Sequence, residues 1–166
     1  MIRREFLWGI PATALVGGCT QSSKFRSYDG PDVTYIVVNK GARRMYLLND
    51  DSVLKSYDID LGFAPNGSKS IEGDGKTPEG NYFIDRRNPN SQFHLSLGIS
   101  YPNTKDIAEA RAKGKEPGGD IFIHGESNPF RWSRGDWTWG CIAVTNREME
   151  EIYAMVRNGT RIQINP

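Results

Sequence analysis

The sequence predicts a mainly β single domain with two helices, its sheet rolled into a sandwich or a partly open barrel. Three observations carry this. Runs of β-branched and aromatic residues recur at short intervals from Val33 onward, broken by Gly, Asn and Asp. Apolar residues within those runs nearly alternate with polar ones, the period of a half-buried strand and not of a helix. Only two stretches, 104–114 and a segment opening at Thr145, break that rhythm.

VTYIVVNK (33–40) and RRMYLLND (43–50) flank Gly41-Ala42, which predicts a hairpin. SVLKSYDIDLG (52–62) continues the meander, with Leu54, Tyr57, Ile59 and Leu61 spaced along it. Further strands are predicted at NYFIDR (81–86), FHLSLGIS (93–100), DIFIHG (120–125) and TRIQIN (160–165), with a shorter one in GCIAV (140–144). The helix over 104–114 stops at Gly114, and Pro117 follows. Thr145-Asn146-Arg147-Glu148 has the form of a capping box. It starts the stronger helix, which places Met149, Ile152, Tyr153 and Val156 on one face and ends before Gly159. The roughly 135 residues from 33 to 166 suit one domain.

The N-terminus reads as an export signal. Residues 1–18 open with Arg3-Arg4 and continue with an uncharged apolar stretch from Phe6 to Gly18. Such a stretch of about 13 residues is too short for a bilayer span, which needs roughly 20. The arginine pair with Phe6 and Leu7 resembles a twin-arginine signal, and Val16-Gly17-Gly18-Cys19 resembles a bacterial lipobox, with Cys19 as the lipidated residue. A simple cleaved signal with an incidental cysteine is the alternative. Residues 19–32 are polar, with Ser, Gly and Pro, and read as a tether to the domain at 33–166. The expected location is the periplasm or cell envelope, with the membrane as a partner through Cys19.

Taking Arg3, Arg4 and Glu5 from the 21 basic and 20 acidic residues leaves 19 of each. A neutral mature chain gives no electrostatic case for nucleic acid. The sequence holds two cysteines, and if Cys19 carries lipid then Cys141 has no intrachain partner, which flags a reactive thiol. One cysteine and two distant histidines do not make a structural zinc site, so no metal is expected.

A cysteine is only a few per cent thiolate at neutral pH and needs a neighbour to take its proton. His124 is the better candidate: it ends an apolar strand, and Gly125 lets the chain turn into a loop that returns to Cys141 after 16 intervening residues. A strand, a long loop and a second short strand would bring the two side chains to one sheet edge. His94 lies in FHLSLG, where a histidine more commonly satisfies a backbone carbonyl. Gly140 before Cys141 leaves the approach open for an oxyanion held by amides of the turn. A Gly-Cys pair alone also fits a cysteine buried as a small hydrophobe.

His124-Gly125, a loop of this length, and Thr138-x-Gly140-Cys141-Ile142 resemble the signature of the L,D-transpeptidase catalytic domain (YkuD-type). GDGKTPEGNYFI (73–84) looks like the Thr-Pro-x-Gly segment of that family, and FHLSLGISYPN (93–103) and DWTWGCIAVTN (136–146) resemble its murein-specific branch. The resemblance covers most of residues 33–166. It implies Cys141 as acyl-accepting nucleophile and His124 as its base. The Gly125 carbonyl would orient the imidazole, and the Gly140 and Cys141 amides would form the oxyanion hole. Trp139 stands where many members have histidine, and Ala143 where many have arginine or asparagine. The contact to a substrate carboxylate is therefore open, with Arg134, Arg131 and Asn146 as candidates. Trp132, Trp137 and Trp139 with Phe130 either pack the loop before Cys141 or wall a groove, and Trp137 and Trp139 are the groove candidates.

The implied function is peptidoglycan L,D-transpeptidation on stem peptides, with release of D-alanine and transfer of the acyl group to an amine, by a monomer that needs no cofactor. Hydrolysis at the same site, as an L,D-endo- or carboxypeptidase, is one alternative. A non-catalytic envelope lipoprotein that binds peptidoglycan is another.

Overall fold

The computed structural model describes residues 23–126 and 135–166. Strands β1 (Tyr35–Asn39), β2 (Arg44–Asn49) and β3 (Ser52–Asp58) form the expected meander, antiparallel at both junctions. The β1–β2 turn spans 40–43 and contains the predicted Gly41-Ala42, but its left-handed residue is Arg43, which takes φ 52° and whose guanidinium binds the Lys40 carbonyl and Asp136. β1 and β2 alternate buried and half-buried residues, so Ile36, Val38, Met45 and Leu47 reach the core. β3 stops at Asp58, short of the predicted 62, yet Ile59 and Leu61 are buried beyond its end.

β4 (Gly80–Asn88) and β5 (Ser96–Ile99) pair antiparallel. β5 starts three residues later than predicted, because His94 takes φ 70°, and a left-handed residue cannot continue a strand. β6 (Phe122–His124) lies antiparallel to β5, and β7 (Ile142–Ala143) lies parallel to β6. β8 (Arg161–Asn165) enters the middle of the sheet, parallel to β1 and antiparallel to β4. The full order is β3-β2-β1-β8-β4-β5-β6-β7. Single bridges from Asp60 to Ala143 and from Gly62 to Thr138 tie the chain after β3 to the β7 side. The sheet thus curls into a half-barrel, mostly β with two helices, as predicted.

The half-barrel is filled by aliphatic side chains, among them Leu61, Ile84, Leu97, Ile123 and Ile162, each fully buried and each stabilising by roughly 1.5–3 kcal/mol relative to exposure. α1 (Thr104–Ala112) is capped by Asn103, whose side chain accepts from the Lys105 and Asp106 amides. It buries only Ala110 and is held to the sheet by the Tyr82 hydroxyl, which donates to Asp106 at 3.0 Å. α2 (Asn146–Met155) has the predicted Thr145/Glu148 capping box, and Met149, Ile152, Tyr153 and Val156 are all buried. It packs against β5 and β6, behind the strand that carries His124.

The far half of the 19–32 segment lies on the domain. Lys24 Nζ donates to the Pro89 carbonyl at 2.6 Å and the His94 carbonyl at 3.1 Å, and Arg26 forks onto Glu150. Cys19 and the signal at 1–18 lie outside the described residues. Among the described residues, no helix is long and apolar enough to cross a membrane.

Candidate active site

Thr138 to Cys141 form a tight turn at the open end of β7. The Thr138 hydroxyl donates to the Cys141 carbonyl at 2.7 Å and accepts from the Gly140 amide at 3.1 Å, which locks the turn. Gly140 sits at φ 121°, and a Cβ there would stand 2.5 Å from the Lys76 carbonyl oxygen, so only glycine fits. Beneath it lies the Thr-Pro-Glu-Gly segment: Thr77 is fully buried, and its hydroxyl accepts from the Gly62 amide at 3.1 Å. The preceding turn is built on Asp74, which accepts from the Ser70, Ile71 and Lys76 amides and from the buried Lys69 ammonium at 3.1 Å.

His124 closes β6, one strand away. Its Nδ1 lies 2.6 Å from the Gly125 carbonyl, and since a carbonyl only accepts, Nδ1 carries the proton and Nε2 holds the lone pair. Nε2 has no hydrogen-bond partner among the described residues. The imidazole is clamped by Phe93 at 4.5 Å between centroids and by the edge of Trp137 at 5.6 Å. Gly125 is also confined: a Cβ would stand 2.5 Å from Asn146 Oδ1, which accepts from the Glu126 amide at 2.7 Å.

Because β6 and β7 are parallel in the register Ile123 with Ile142 and His124 with Ala143, Cys141 and His124 share one face of the sheet edge. Both line a groove of about 410 Å³, with Phe93, Ser96, Asp120 and Phe122. The half-buried sulfur accepts from the Phe122 amide at 3.4 Å and donates to the Asp120 carbonyl at 3.5 Å. The imidazole is not among its bonded partners in this arrangement. Burial holds the Cys141 thiol above its ordinary range, with the Phe122 amide opposing that shift. Burial likewise holds the His124 imidazole below its ordinary range, partly offset by the Gly125 carbonyl. Both shifts favour the uncharged forms of the two groups that share the groove.

A family model described as the L,D-transpeptidase catalytic domain, YkuD, matches residues 33–164. The chain belongs to the L,D-transpeptidase catalytic domain family. YafK of Escherichia coli (strain K12), which carries an L,D-transpeptidase name, is 34% identical over 106 residues, 63% of this chain and 37% of YafK. YkuD of Bacillus licheniformis, named in the same way, is 30% identical over 136 residues, 79% of this chain and 65% of that protein. Among solved structures, the helical cell shape determining protein Pgp2 from Campylobacter jejuni is 31% identical with a TM-score of 0.61, covering 82% of this chain and 49% of Pgp2. The chain thus spans less than half the length of YafK and Pgp2.

In this L,D-transpeptidase domain the remaining predicted residues are scattered. Trp137 is a wall of the imidazole. Trp139 points outward, 72% exposed, with its ring edge-on to Phe63 at 4.9 Å. Asn146, a candidate for substrate binding, is instead engaged with the Glu126 amide behind the histidine. Arg131 and Arg134 lie outside the described residues, as do Phe130 and Trp132. Of the two amides expected at the oxyanion, that of Gly140 meets the Thr138 hydroxyl at 3.1 Å, while that of Cys141 takes no partner among the described residues. His94 bonds Glu150 at 2.9 Å and stands apart from the thiol. Sequence reasoning missed Phe93, Ser96, Asp120 and Phe122. Their signal was faint: each is ordinary for a strand or loop until the strands are paired.

Proposed function

We propose that residues 33–166 transfer acyl groups between peptidoglycan stem peptides, with Cys141 as nucleophile and His124 as base and acid. The observation that carries the reading is the 2.6 Å bond from His124 Nδ1 to the Gly125 carbonyl, which fixes the tautomer with its lone pair free in the groove that holds the sulfur. The geometry fills the role that a carboxylate plays in a serine triad.

The thiol leaves the Asp120 carbonyl by a side-chain rotation, gives its proton to Nε2, and attacks the carbonyl of the diaminopimelate that precedes the terminal D-alanine. The Cys141 amide receives the oxyanion. D-alanine departs with the proton from His124, which leaves a thioester on Cys141. An amine of another stem then attacks the thioester, gives its proton to His124 and restores the thiol. The steps use only groups of the chain and the two peptides. The N-terminal sequence supports export and tethering through a lipid on Cys19, which would hold the domain at the cell envelope.

The test is intact-protein mass spectrometry after incubation with labelled tetrapeptide stems, followed by product separation. The wild type is expected to gain the stem acyl mass less D-alanine, and Cys141→Ala to gain nothing. Cross-linked dimers report an amine acceptor, and shortened stems alone report water. A wild type that gains no acyl mass and releases no D-alanine refutes the proposal.

A further inference from the structure

A charge pair stands beside the nucleophile that neither the fold nor the thiol chemistry uses. Arg86 of β4, Gly98 of β5 and Phe122 of β6 occupy one row across three neighbouring strands. Cys141 extends that row, since its sulfur meets the Phe122 amide. Gly98 has no side chain, and a Cβ there would collide with Cγ and Nε of Arg86, so the arginine stem lies flat across β5. Its guanidinium ends 4.7 Å from the centroid of the Phe122 ring, a cation–π distance. Nη2 then donates to Asp120 Oδ1 at 3.0 Å. Asp120 is fixed from its own side: it takes φ 54°, and its carbonyl accepts from the Cys141 thiol.

As a stabilising element this pair is weak. The Asp120 side chain is 87% exposed and that of Arg86 is 48% exposed, and exposed pairs of this kind contribute little. As a recognition device it is well held. A guanidinium has five N–H donors; Asp120 engages one of them, and Asp85 Oδ1 stands 4.0 Å from Nε, which leaves the other donors for a ligand. Asp120 Oδ2 has no partner among the described residues. Asp120 lines the groove, and Arg86, held over the Phe122 ring, reaches its rim through the bond to Asp120, so a cation and an anion stand together there. A ligand group carrying an ammonium and a carboxylate on one carbon matches both.

We propose that Arg86 and Asp120 bind the zwitterionic end of the diamino acid whose other carbonyl Cys141 attacks. This rests on the acyl-transfer reading above. The guanidinium takes the carboxylate, and Asp120 takes the ammonium. Neighbouring strands are ~4.8 Å apart, so the pair stands one to two strand spacings from the sulfur, a span that the methylene spacer of diaminopimelate covers. The pair is a specificity determinant and takes no part in bond making.

The experiment compares kcat/KM for two synthetic tetrapeptide stems, one with diaminopimelate and one with lysine, which keeps the ammonium but lacks the carboxylate. The wild type is expected to prefer the diaminopimelate stem by about 10- to 100-fold, the worth of a hydrogen bond to a charged group. Arg86→Gln, which keeps the stem over Phe122, and Arg86→Ala are expected to bring the ratio close to one. Asp120→Asn suits the left-handed backbone and is expected to lower kcat/KM for both stems, since both carry the ammonium. Alkylation of Cys141 by iodoacetamide reports an intact site in each variant. A wild type without preference, or a ratio unchanged in both arginine variants, overturns the inference while stem processing continues. A wild type that acylates with neither stem overturns the proposed function and this inference with it.

Discussion

Replacing Asp74 by asparagine should unseat the floor of the Thr138–Cys141 turn. Asp74 is the hub of four bonds: Oδ2 accepts from the Ser70 amide at 2.8 Å and the Ile71 amide at 3.1 Å, and Oδ1 from the Lys76 amide and the Lys69 ammonium, both at 3.1 Å. Asparagine keeps one oxygen, turns the other acceptor into a donor facing a donor, and leaves the Lys69 ammonium, 3% exposed at its side chain, without its counter-charge. Lys69 retains the Ile71 carbonyl at 3.0 Å, so the lower end of the usual range for a broken buried pair applies, about 3 kcal/mol. For a domain of this size that is a fall in Tm of roughly 12 °C.

Urea unfolding followed by tryptophan fluorescence measures it, with Lys69→Met and the double variant completing a cycle. Lys69→Met removes the charge together with its need for a partner, so it should cost about 1 kcal/mol, and Asp74→Asn should cost less in its background. The pH dependence has a definite sign. Burial pushes the Asp74 carboxyl up, but the three amides and Lys69 outweigh it and hold the group below 3.8. Its stabilising contribution is thus present above pH 3.8 and lost as pH falls through the lower folded value, so Asp74→Asn should flatten the acid limb of stability. A loss below 1 kcal/mol, or an equal loss with and without Lys69, would refute the buried-pair argument.

Two further outcomes follow from the site. Gly140→Ala forces a Cβ against the Lys76 carbonyl at φ 121°, and should cost about 1–3 kcal/mol in urea titration and depress acylation further; a variant as stable as the wild type means the turn is softer than described. The acid limb of kcat/KM should lie below pH 6.5, because burial first, against the Gly125 carbonyl, holds His124 neutral as pH falls, while the Cys141 thiol stays protonated to above its ordinary 9.0. An acid midpoint at or above 6.5 in a pH–rate profile would contradict that assignment.

Local signals made much of this fold legible. The meander of β1 to β3 follows from alternation alone, and α2 follows from a capping box and one apolar face. That Cys141 and His124 would meet, as they do along one groove, was readable because few side chains can exchange a proton near neutral pH, and the neighbouring motifs resemble one family. What could not be read depends on pairing across the chain. Nothing local in RIQIN tells that β8 runs parallel to β1, since both neighbours ask only for alternating apolar residues. The left-handed turn at His94 has no glycine to announce it. Arg86 and Asp120 are 34 residues apart and meet only through the strand row that ends at the sulfur. The Lys69–Asp74 pair hides in a polar stretch that reads as an ordinary loop.

The central place of β8 bears on biosynthesis. When a ribosome has made the first 160 residues, β1 and β4 are complete but each lacks a neighbour, and their seam exposes Ile36, Val38, Tyr82 and Ile84 beside unpaired backbone. Such raw edges invite pairing with other nascent chains. The barrel wall can therefore seal only after residues 161–165 emerge from the exit tunnel, and until then holding chaperones have a defined strip to cover.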